Sequence, residues 1–109
     1  MKIAVADRTQ QWEMVRDYFT KTNKFLSLTD KEEYFGEYLV NKIEYRRLGA
    51  KADKSVVWEI KKTDFLDSIE NIISVNDVTY KSIHGLVTTP LYPQCSPFIA
   101  ILFATKILK

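Results

Sequence analysis

The segment Thr29–Gly49 constrains the fold of this chain most, because it combines a helix start signal with rows of similar side chains. Thr29 and Glu32 have the spacing of a capping box, in which each side chain satisfies a backbone N–H group of the other residue. Three acids among residues 30–33 place negative charge where a helix dipole favours it. The pattern predicts an amphipathic helix over residues 30–48.

At about 100° per residue, this predicted helix presents three rows of side chains. The outward row is polar and consists of Glu33, Glu37, Asn41 and Glu44. The row at the border with the core consists of Tyr34, Tyr38 and Tyr45, and the row facing the core consists of Phe35, Leu39 and Ile43. Tyrosine offers a large contact area with few rotatable bonds, and carboxylates steer a basic partner. The two outer rows therefore predict a partner-binding surface.

Two alternatives are compatible with the same segment. An ordinary surface helix whose tyrosines pack at the edge of the core needs no partner. The helix could also end near Lys42, with Ile43–Leu48 extended. The first alternative keeps the predicted helix without a binding role, whereas the second changes the secondary structure of residues 43–48.

The remaining periodicities predict further strands and helices along the chain. The predicted strands are Ile3–Ala6, Ser55–Lys61 and Val78–Thr88, and the predicted helices are residues 8–22 and a segment capped by Thr63. The apolar stripe of this last helix consists of Phe65, Ile69, Ile72 and Ile73. All three prolines lie in residues 89–97, which are typical of a loop. Residues 98–108 fit a central strand, which their alternation favours, or a helix that begins at Ser96 and Pro97.

This order, β-α-α-β-α-β followed by one C-terminal strand or helix, predicts an α+β fold. We expect a single layer of three or four strands with helices packed on one face. A chain of 109 residues is the size of one domain, residues 1–109. Residues 78–109 contain no acid, so they are expected to supply much of the core.

Composition excludes several classes of function. The net charge is +2, from 16 basic and 14 acidic residues, which does not favour binding to nucleic acid or to a membrane. The longest apolar run, Phe98–Ala104, is far shorter than the roughly 20 residues of a membrane span. The single cysteine, Cys95, excludes an internal disulfide and is typical of a reducing compartment. We therefore expect a soluble cytoplasmic protein.

Part of the 30–48 segment resembles a known family. Glu33-Tyr34-Phe35-Gly36-Glu37 followed by Leu39 is similar to the segment that opens the inhibitory helix of barstar-type ribonuclease inhibitors. In that family the helix blocks a basic ribonuclease active site with aromatic and carboxylate side chains. The resemblance implies that Tyr34 is an interface tyrosine and that Glu44 is an inhibitory acid. Val40 departs from the family pattern, because a second inhibitory acid stands at that position in the family.

The wider order of elements is also similar to that family. It begins with Met1, Lys2, Ala4 and Val5 and includes the strand Val56-Val57-Trp58-Glu59, whereas residues 89–109 extend beyond the family pattern. We therefore predict a small non-enzymatic inhibitor, or an immunity or antitoxin-like protein, that docks the 30–48 helix on a basic enzyme such as a nuclease toxin. The predicted partner-binding residues are Glu33, Tyr34, Glu37, Tyr38, Asn41, Glu44 and Tyr45. No cofactor or metal is expected, and the oligomeric state is left open.

Three other interpretations of the sequence involve other parts of the chain. Asp53, Glu59 and Lys61 resemble the D…E-x-K arrangement of metal-dependent nucleases, in which two acids hold Mg²⁺ and a lysine orients water. An exposed strand with opposite charges on one face produces the same pattern. His84 and Cys95 could form a nucleophilic pair, although isolated residues of these types are more often structural. A homo-oligomer that buries the apolar C-terminal segment against a second copy is the third interpretation.

Overall fold

The fold is built on one antiparallel sheet, in a computed structural model that describes residues 1–28, 32–49 and 56–109. The elements in chain order are α1 (Arg8–Lys21), β1 (Lys24–Leu26), β2 (Glu33–Tyr38), β3 (Lys42–Leu48), β4 (Trp58–Lys61), α2 (Lys62–Ile72), α3 (Tyr80–Ile83), a 3-10 helix (Thr89–Gln94) and α4 (Cys95–Ala104). The strands lie in the order β1-β2-β3-β4, so each is paired with its neighbour in sequence. The predicted class, an α+β fold with one sheet, is confirmed, whereas the order of its elements differs.

One face of the sheet forms a wall of the core. Side chains alternate between the two faces of a strand, and direct cross-strand partners share a face. The inner face carries Phe25, Tyr34, Gly36, Tyr38, Ile43, Tyr45 and Ile60. Helices α1, α2 and α4 contact this sheet at β2, β4 and β1, respectively. The prediction that the helices pack on one face of the sheet is therefore confirmed.

Helix α1 covers the middle of the sheet and confirms the helix predicted over residues 8–22. The side chain of Asp7 accepts a hydrogen bond from the backbone N–H of Gln10 at 2.7 Å, which satisfies one of the free donors at the helix start. Trp12, Val15 and Phe19 recur at helical spacing and are buried. Burying this apolar stripe, rather than helix propensity alone, stabilises the element.

Helix α2 confirms the helix predicted after Ser55–Lys61, but not its predicted cap. Its N-cap residue is Lys61, without a side-chain hydrogen bond, so Thr63 already lies inside the helix. Phe65, Ile69 and Ile72 are buried as predicted, whereas Ile73 lies at the C-terminal end and is exposed. The strand before α2 is confirmed for Trp58–Lys61, and Ser55 lies outside the described residues.

The predicted helix over residues 30–48 is wrong. Glu33–Tyr38 and Lys42–Leu48 form an antiparallel hairpin, so only the alternative of an extended Ile43–Leu48 is confirmed. The reason is a period of two: buried Tyr34 and Gly36 in one strand, and buried Ile43 and Tyr45 in the other, alternate with less buried side chains. Gly36 also disfavours a helix interior, where glycine loses the most conformational freedom. The predicted helix start, Thr29, lies outside the described residues.

Two other predicted strands are wrong. The stretch Ile3–Ala6 forms only an isolated bridge between Ile3 and Leu108, because the backbone there pairs with the C-terminal residues and not with the sheet. The stretch Val78–Thr88 instead contains α3, which begins with a capping box between Thr79 and Ser82. That local pairing of side chains with backbone favours a helical turn over an extended strand.

The C-terminal segment is a helix, so the strand that its alternation favoured is wrong. Helix α4 follows directly on the 3-10 helix, and together they occupy the predicted loop 89–97. Residues 98–102 are all buried, which removes the amphipathic signal that separates helix from strand. The apolar segment is thus covered by its own chain, with Phe103 48% exposed. Among the described residues, no helix is long and apolar enough to cross a membrane.

Candidate functional site on the open face of the sheet

The outer face of the sheet carries half-buried and exposed side chains on the side away from the core. Antiparallel sheets commonly pack one face on the core and leave the other in water. The side chains on the outer face, read from the strand register, are Lys24, Leu26, Glu33, Phe35, Glu37, Lys42, Glu44, Arg46, Leu48, Glu59 and Lys61. We call this surface the open face.

Three carboxylates form a row across the open face, which we call the carboxylate row. Glu37 is the direct partner of Glu44, and Glu44 is the direct partner of Glu59. Direct cross-strand partners have Cβ atoms about 4.5–5.5 Å apart, and like charges at this spacing destabilise a sheet. The row therefore concentrates negative charge at an energetic cost.

Lys42 offsets part of this repulsion. Its Nζ lies 3.0 Å from Oε2 of Glu59 and 3.3 Å from Oε1 of Glu44. The hydrogen bond to Glu59, followed by that to Glu44, raises the pKa of the Lys42 ammonium. Within the part of the chain that the structure describes, Glu37 has no ion pair. One ammonium thus serves two of the three carboxylates.

The open face as a whole has no net charge, because it carries four carboxylates and four cations. These charges are arranged in bands. On one side of the carboxylate row, Lys24 Nζ lies 3.3 Å from Glu33 Oε1, and the guanidinium of Arg46 lies 5.1 Å from the ring centre of Phe35. On the other side, Lys42 is the direct partner of Lys61. The carboxylate row is therefore a negative band between two positive ones.

The predicted partner-binding residues are divided between the two faces. Glu33, Glu37 and Glu44 lie on the open face, and Asn41 lies in the exposed turn between β2 and β3. Two of the tyrosines are core residues, with 5% of Tyr34 and 3% of Tyr45 exposed. Tyr38 is half-buried against Trp12, with ring centres 5.5 Å apart. The structure therefore separates the carboxylates from the tyrosines with which the helix pattern had grouped them.

The buried tyrosines have structural hydrogen bonds. Tyr34 donates its O–H to Oε2 of Glu32 at 2.8 Å, and Arg47 donates to both oxygens of the same carboxylate at 3.1 and 2.6 Å. Burial, with the hydrogen bond to Glu32, raises the pKa of Tyr34 to about 12. Burial also raises the pKa of Tyr45, whose O–H donates to Oε1 of Gln94 at 2.6 Å.

Both edges of the sheet are partly closed by side chains from the helical layer. At β1, Tyr18 donates its O–H to the carbonyl of Lys24 at 2.5 Å, and Thr22 Oγ1 accepts from the N–H of Lys24 at 3.3 Å. At β4, Gln94 Nε2 donates to the carbonyl of Glu59 at 3.1 Å. An edge strand pairs with another chain through such free backbone groups. Their occupation leaves fewer free backbone groups at these edges for pairing with another chain.

The residues of the alternative nuclease site are only partly described. Glu59 and Lys61 share the open face, as their spacing predicts, and Asp53 lies outside the described residues. The carboxylate of Glu59 is bonded to the Lys42 ammonium. Across residues 1–28, 32–49 and 56–109, no group of three or more His, Cys, Asp or Glu side chains is placed to hold a metal ion.

His84 and Cys95 lie in different environments. His84 Nε2 is 2.8 Å from the hydroxyl of Tyr92, and its ring packs between those of Tyr80 and Tyr92. Cys95 is buried, and burial raises the pKa of its thiol to about 11. A nucleophilic cysteine requires the opposite shift, toward the thiolate. Cys95 is therefore a core side chain in this fold.

The turn between β2 and β3 contains residues that the sequence analysis did not identify as part of a site. Val40 has a φ of 64° and is 66% exposed, and Leu39 beside it is also exposed. The carbonyl of Val40 accepts a hydrogen bond from the indole N–H of Trp12 at 2.9 Å. In the sequence of a hairpin, a turn residue with a positive φ is usually Gly, Asn or Asp. Here valine occupies the position, so the sequence contains no strong turn signal.

No protein-family model, curated protein or solved structure matches this chain. The segment that resembles the opening of the barstar-type inhibitory helix is strand β2 followed by Leu39, which begins the turn. Its acids, Glu33 and Glu37, therefore lie on a sheet face and not on a helix.

Proposed function

We propose that this protein is a small non-enzymatic binding protein that docks the open face of its sheet onto a basic partner protein. The carboxylate row, Glu37, Glu44 and Glu59, carries this proposal. A sheet selected for stability alone gains from opposite charges in direct register and loses from like charges. Three acids in one register, with one lysine shared between two of them, favour a surface that is completed by cations from another molecule.

The geometry of the carboxylate row defines the spacing that those cations must have. Neighbouring strands lie about 4.8 Å apart, so the carboxylate row spans roughly 10 Å across β2, β3 and β4. A partner that presents two lysine or arginine side chains over this distance pairs one of them with Glu37. The other pairs with the carboxylate oxygens of Glu44 or Glu59 that do not contact Lys42. Such pairs steer association and fix its register. An inhibitor or antitoxin-like protein that covers a basic enzyme surface, such as that of a nuclease toxin, is the specific form of the proposal.

Affinity capture with charge variants tests the proposal. The protein is immobilised as wild type and as the double variant Glu37→Gln and Glu44→Gln, and both are exposed to an extract of the cells that produce it. Glu13→Gln with Asp17→Asn, on the exposed side of α1, removes two carboxylates elsewhere and serves as the matched control. We expect a protein that wild type and control retain, that the double variant releases, and whose retention weakens with added salt. Identical retention by all three forms contradicts the proposal.

The nuclease alternative is separated from this proposal by a direct assay. Purified protein is incubated with DNA and RNA in the presence and absence of Mg²⁺, and Glu59→Ala is the paired variant. The binding proposal expects no metal-dependent cleavage by either form. Cleavage that requires both Mg²⁺ and Glu59 supports the nuclease instead.

A further inference from the structure

The turn between β2 and β3, which we call the 39–41 turn, combines strain with apolar exposure. Val40 adopts a left-handed conformation with a φ of 64°, which is rare for a branched side chain because its Cβ crowds the following carbonyl. Its side chain is nevertheless 66% exposed, so packing in the core does not compensate for the strain of this backbone conformation. Asparagine or glycine fits the same backbone with less strain and without exposing an apolar side chain.

The same turn is held rigidly from two sides. Trp12, a buried residue of α1, donates to the carbonyl of Val40 at 2.9 Å, and the ring of Trp12 packs against that of Phe65. The first backbone N–H of α2, that of Lys62, donates to the carbonyl of Asn41 at 2.8 Å. Anchoring of this kind pre-organises a surface and reduces the conformational entropy lost on binding.

The charge next to the turn defines one side of what it would contact. Glu37 lies two residues before Leu39, on the open face, and it is the member of the carboxylate row that lacks an ion pair among the described residues. The convex tip formed by Leu39 and Val40 thus has the Glu37 carboxylate on its β2 side, whereas on its β3 side the Lys42 ammonium is already paired with Glu44 and Glu59. A complementary surface has a concave apolar site with a cation on the side of Glu37.

We propose that the 39–41 turn is the anchor with which this protein enters an apolar pocket of its partner, and that a lysine or arginine at the rim of that pocket pairs with Glu37. This inference rests on the proposed function and adds to it the element that contributes most of the affinity. A few side chains that fill pockets usually dominate an interface, and charged rim pairs contribute mainly to steering.

Val40→Asn tests the inference because stability and binding should change in opposite directions. Asparagine tolerates the left-handed backbone, so the variant should unfold at a higher urea concentration than wild type. It removes the apolar anchor, so its dissociation constant should rise at least tenfold. The probe is the purified protein that wild type retains and that Glu37→Gln with Glu44→Gln releases. Leu86→Asn, an exposed apolar residue in the turn after α3, is the matched control.

The outcomes separate the two proposals. Weaker binding by Val40→Asn, with increased stability and unchanged binding by Leu86→Asn, supports the anchor. If Val40→Asn binds the probe as tightly as wild type, the anchor is overturned while the binding function stands. If no protein is retained by wild type and released by Glu37→Gln with Glu44→Gln, the proposed function fails and this inference fails with it.

Discussion

Tyr45 donates its buried hydroxyl to Oε1 of Gln94 at 2.6 Å, and this bond joins the centre of the sheet to the 3-10 helix. The amide nitrogen of Gln94 donates to the carbonyls of Glu59 and Pro90 at 3.1 and 2.9 Å. Both polar atoms of the buried Gln94 side chain are therefore satisfied, and its three hydrogen bonds reach β3, β4 and the 3-10 helix itself. One side chain closes the edge of β4 and positions the approach to α4.

Tyr45→Phe should destabilise the fold by about 1–3 kcal/mol, because it leaves Oε1 of Gln94 buried without a donor. The free energy of unfolding from urea titration measures this loss. Tyr80→Phe removes a hydroxyl from an exposed ring and should change stability by less than about 0.5 kcal/mol. Equal stability of the two variants would show that the Tyr45–Gln94 bond contributes nothing.

Gly36→Ala should destabilise the protein by about 1–3 kcal/mol through overpacking. A Cβ atom at this position would lie 2.8 Å from Cε1 of Phe19 and 3.2 Å from Cε1 of Phe25, so the packed ring of Phe19 would have to shift. Gly85→Ala is the control, because nothing lies within 4 Å of the added atom. The comparison of thermal unfolding midpoints checks both. A neutral Gly36→Ala would contradict the close packing of α1 on the sheet.

The hairpin shows which part of the fold could be predicted from the sequence. Tyr34, Gly36 and Tyr38 alternate with Glu33, Phe35 and Glu37, which fits a strand. Glu33, Glu37 and Glu44 also share a helical face. A turn signal would have decided between the two periods, but the turn has valine at its left-handed position. The fold class could be predicted because α1, β4 and α2 have clear periodicity and a recognisable order.

The exposure of Glu37 and Glu44 could be predicted because an acid next to aromatic residues is exposed in either period, whereas Glu59 is predicted only as part of the alternative nuclease site. Their grouping could not, because register is a property of strand pairing: Glu59 lies 15 residues after Glu44 in the sequence and directly opposite it in the sheet. The same applies to Lys42, which becomes part of the row only through this register. Local spacing contains no information about such contacts.

Phe98→Ala should cost about 3–5 kcal/mol, because α4 is a core helix and Phe98 is fully buried against Phe65 at 5.4 Å between ring centres. Phe103→Ala should cost much less, since that side chain is about half exposed at the end of the same helix. Urea titrations of the two variants provide the measurement. Similar losses for the two variants would contradict the difference in burial that α4 gives these two side chains.

Glu37→Thr should stabilise the isolated protein by about 0.2–1 kcal/mol, because it removes a like charge directly opposite Glu44 and adds a good strand former. Glu33→Thr is the control, since Glu33 lies opposite Leu48 and forms an ion pair with Lys24. The gain should shrink in high salt, which screens exposed charges. A loss of stability at low salt would remove the argument that the carboxylate row is kept at a structural cost.

Stability should fall in alkaline solution, beginning with the thiol of Cys95. Burial raises the pKa of this thiol from its ordinary value of 9.0 to about 11, and that of the Tyr34 hydroxyl from 10.0 to about 12. Above each ordinary pKa the unfolded chain loses a proton that the folded chain keeps, which favours unfolding. The contribution of Cys95 is therefore complete below pH 9 and is lost as the pH rises from 9 to 11. That of Tyr34 is lost from 10 to 12.

Comparison with Cys95→Ala separates the thiol from the shifted tyrosines and Lys42, whose ordinary pKa values of 10.0 and 10.5 lie above that of the thiol. Free energies of unfolding measured at closely spaced pH values, with a reductant present, should decline more steeply from pH 9 to 10 for wild type than for Cys95→Ala, whatever the lower overall stability of the variant. Parallel curves would show that the thiol titrates equally in the folded and unfolded chains, and hence that Cys95 is not buried in solution.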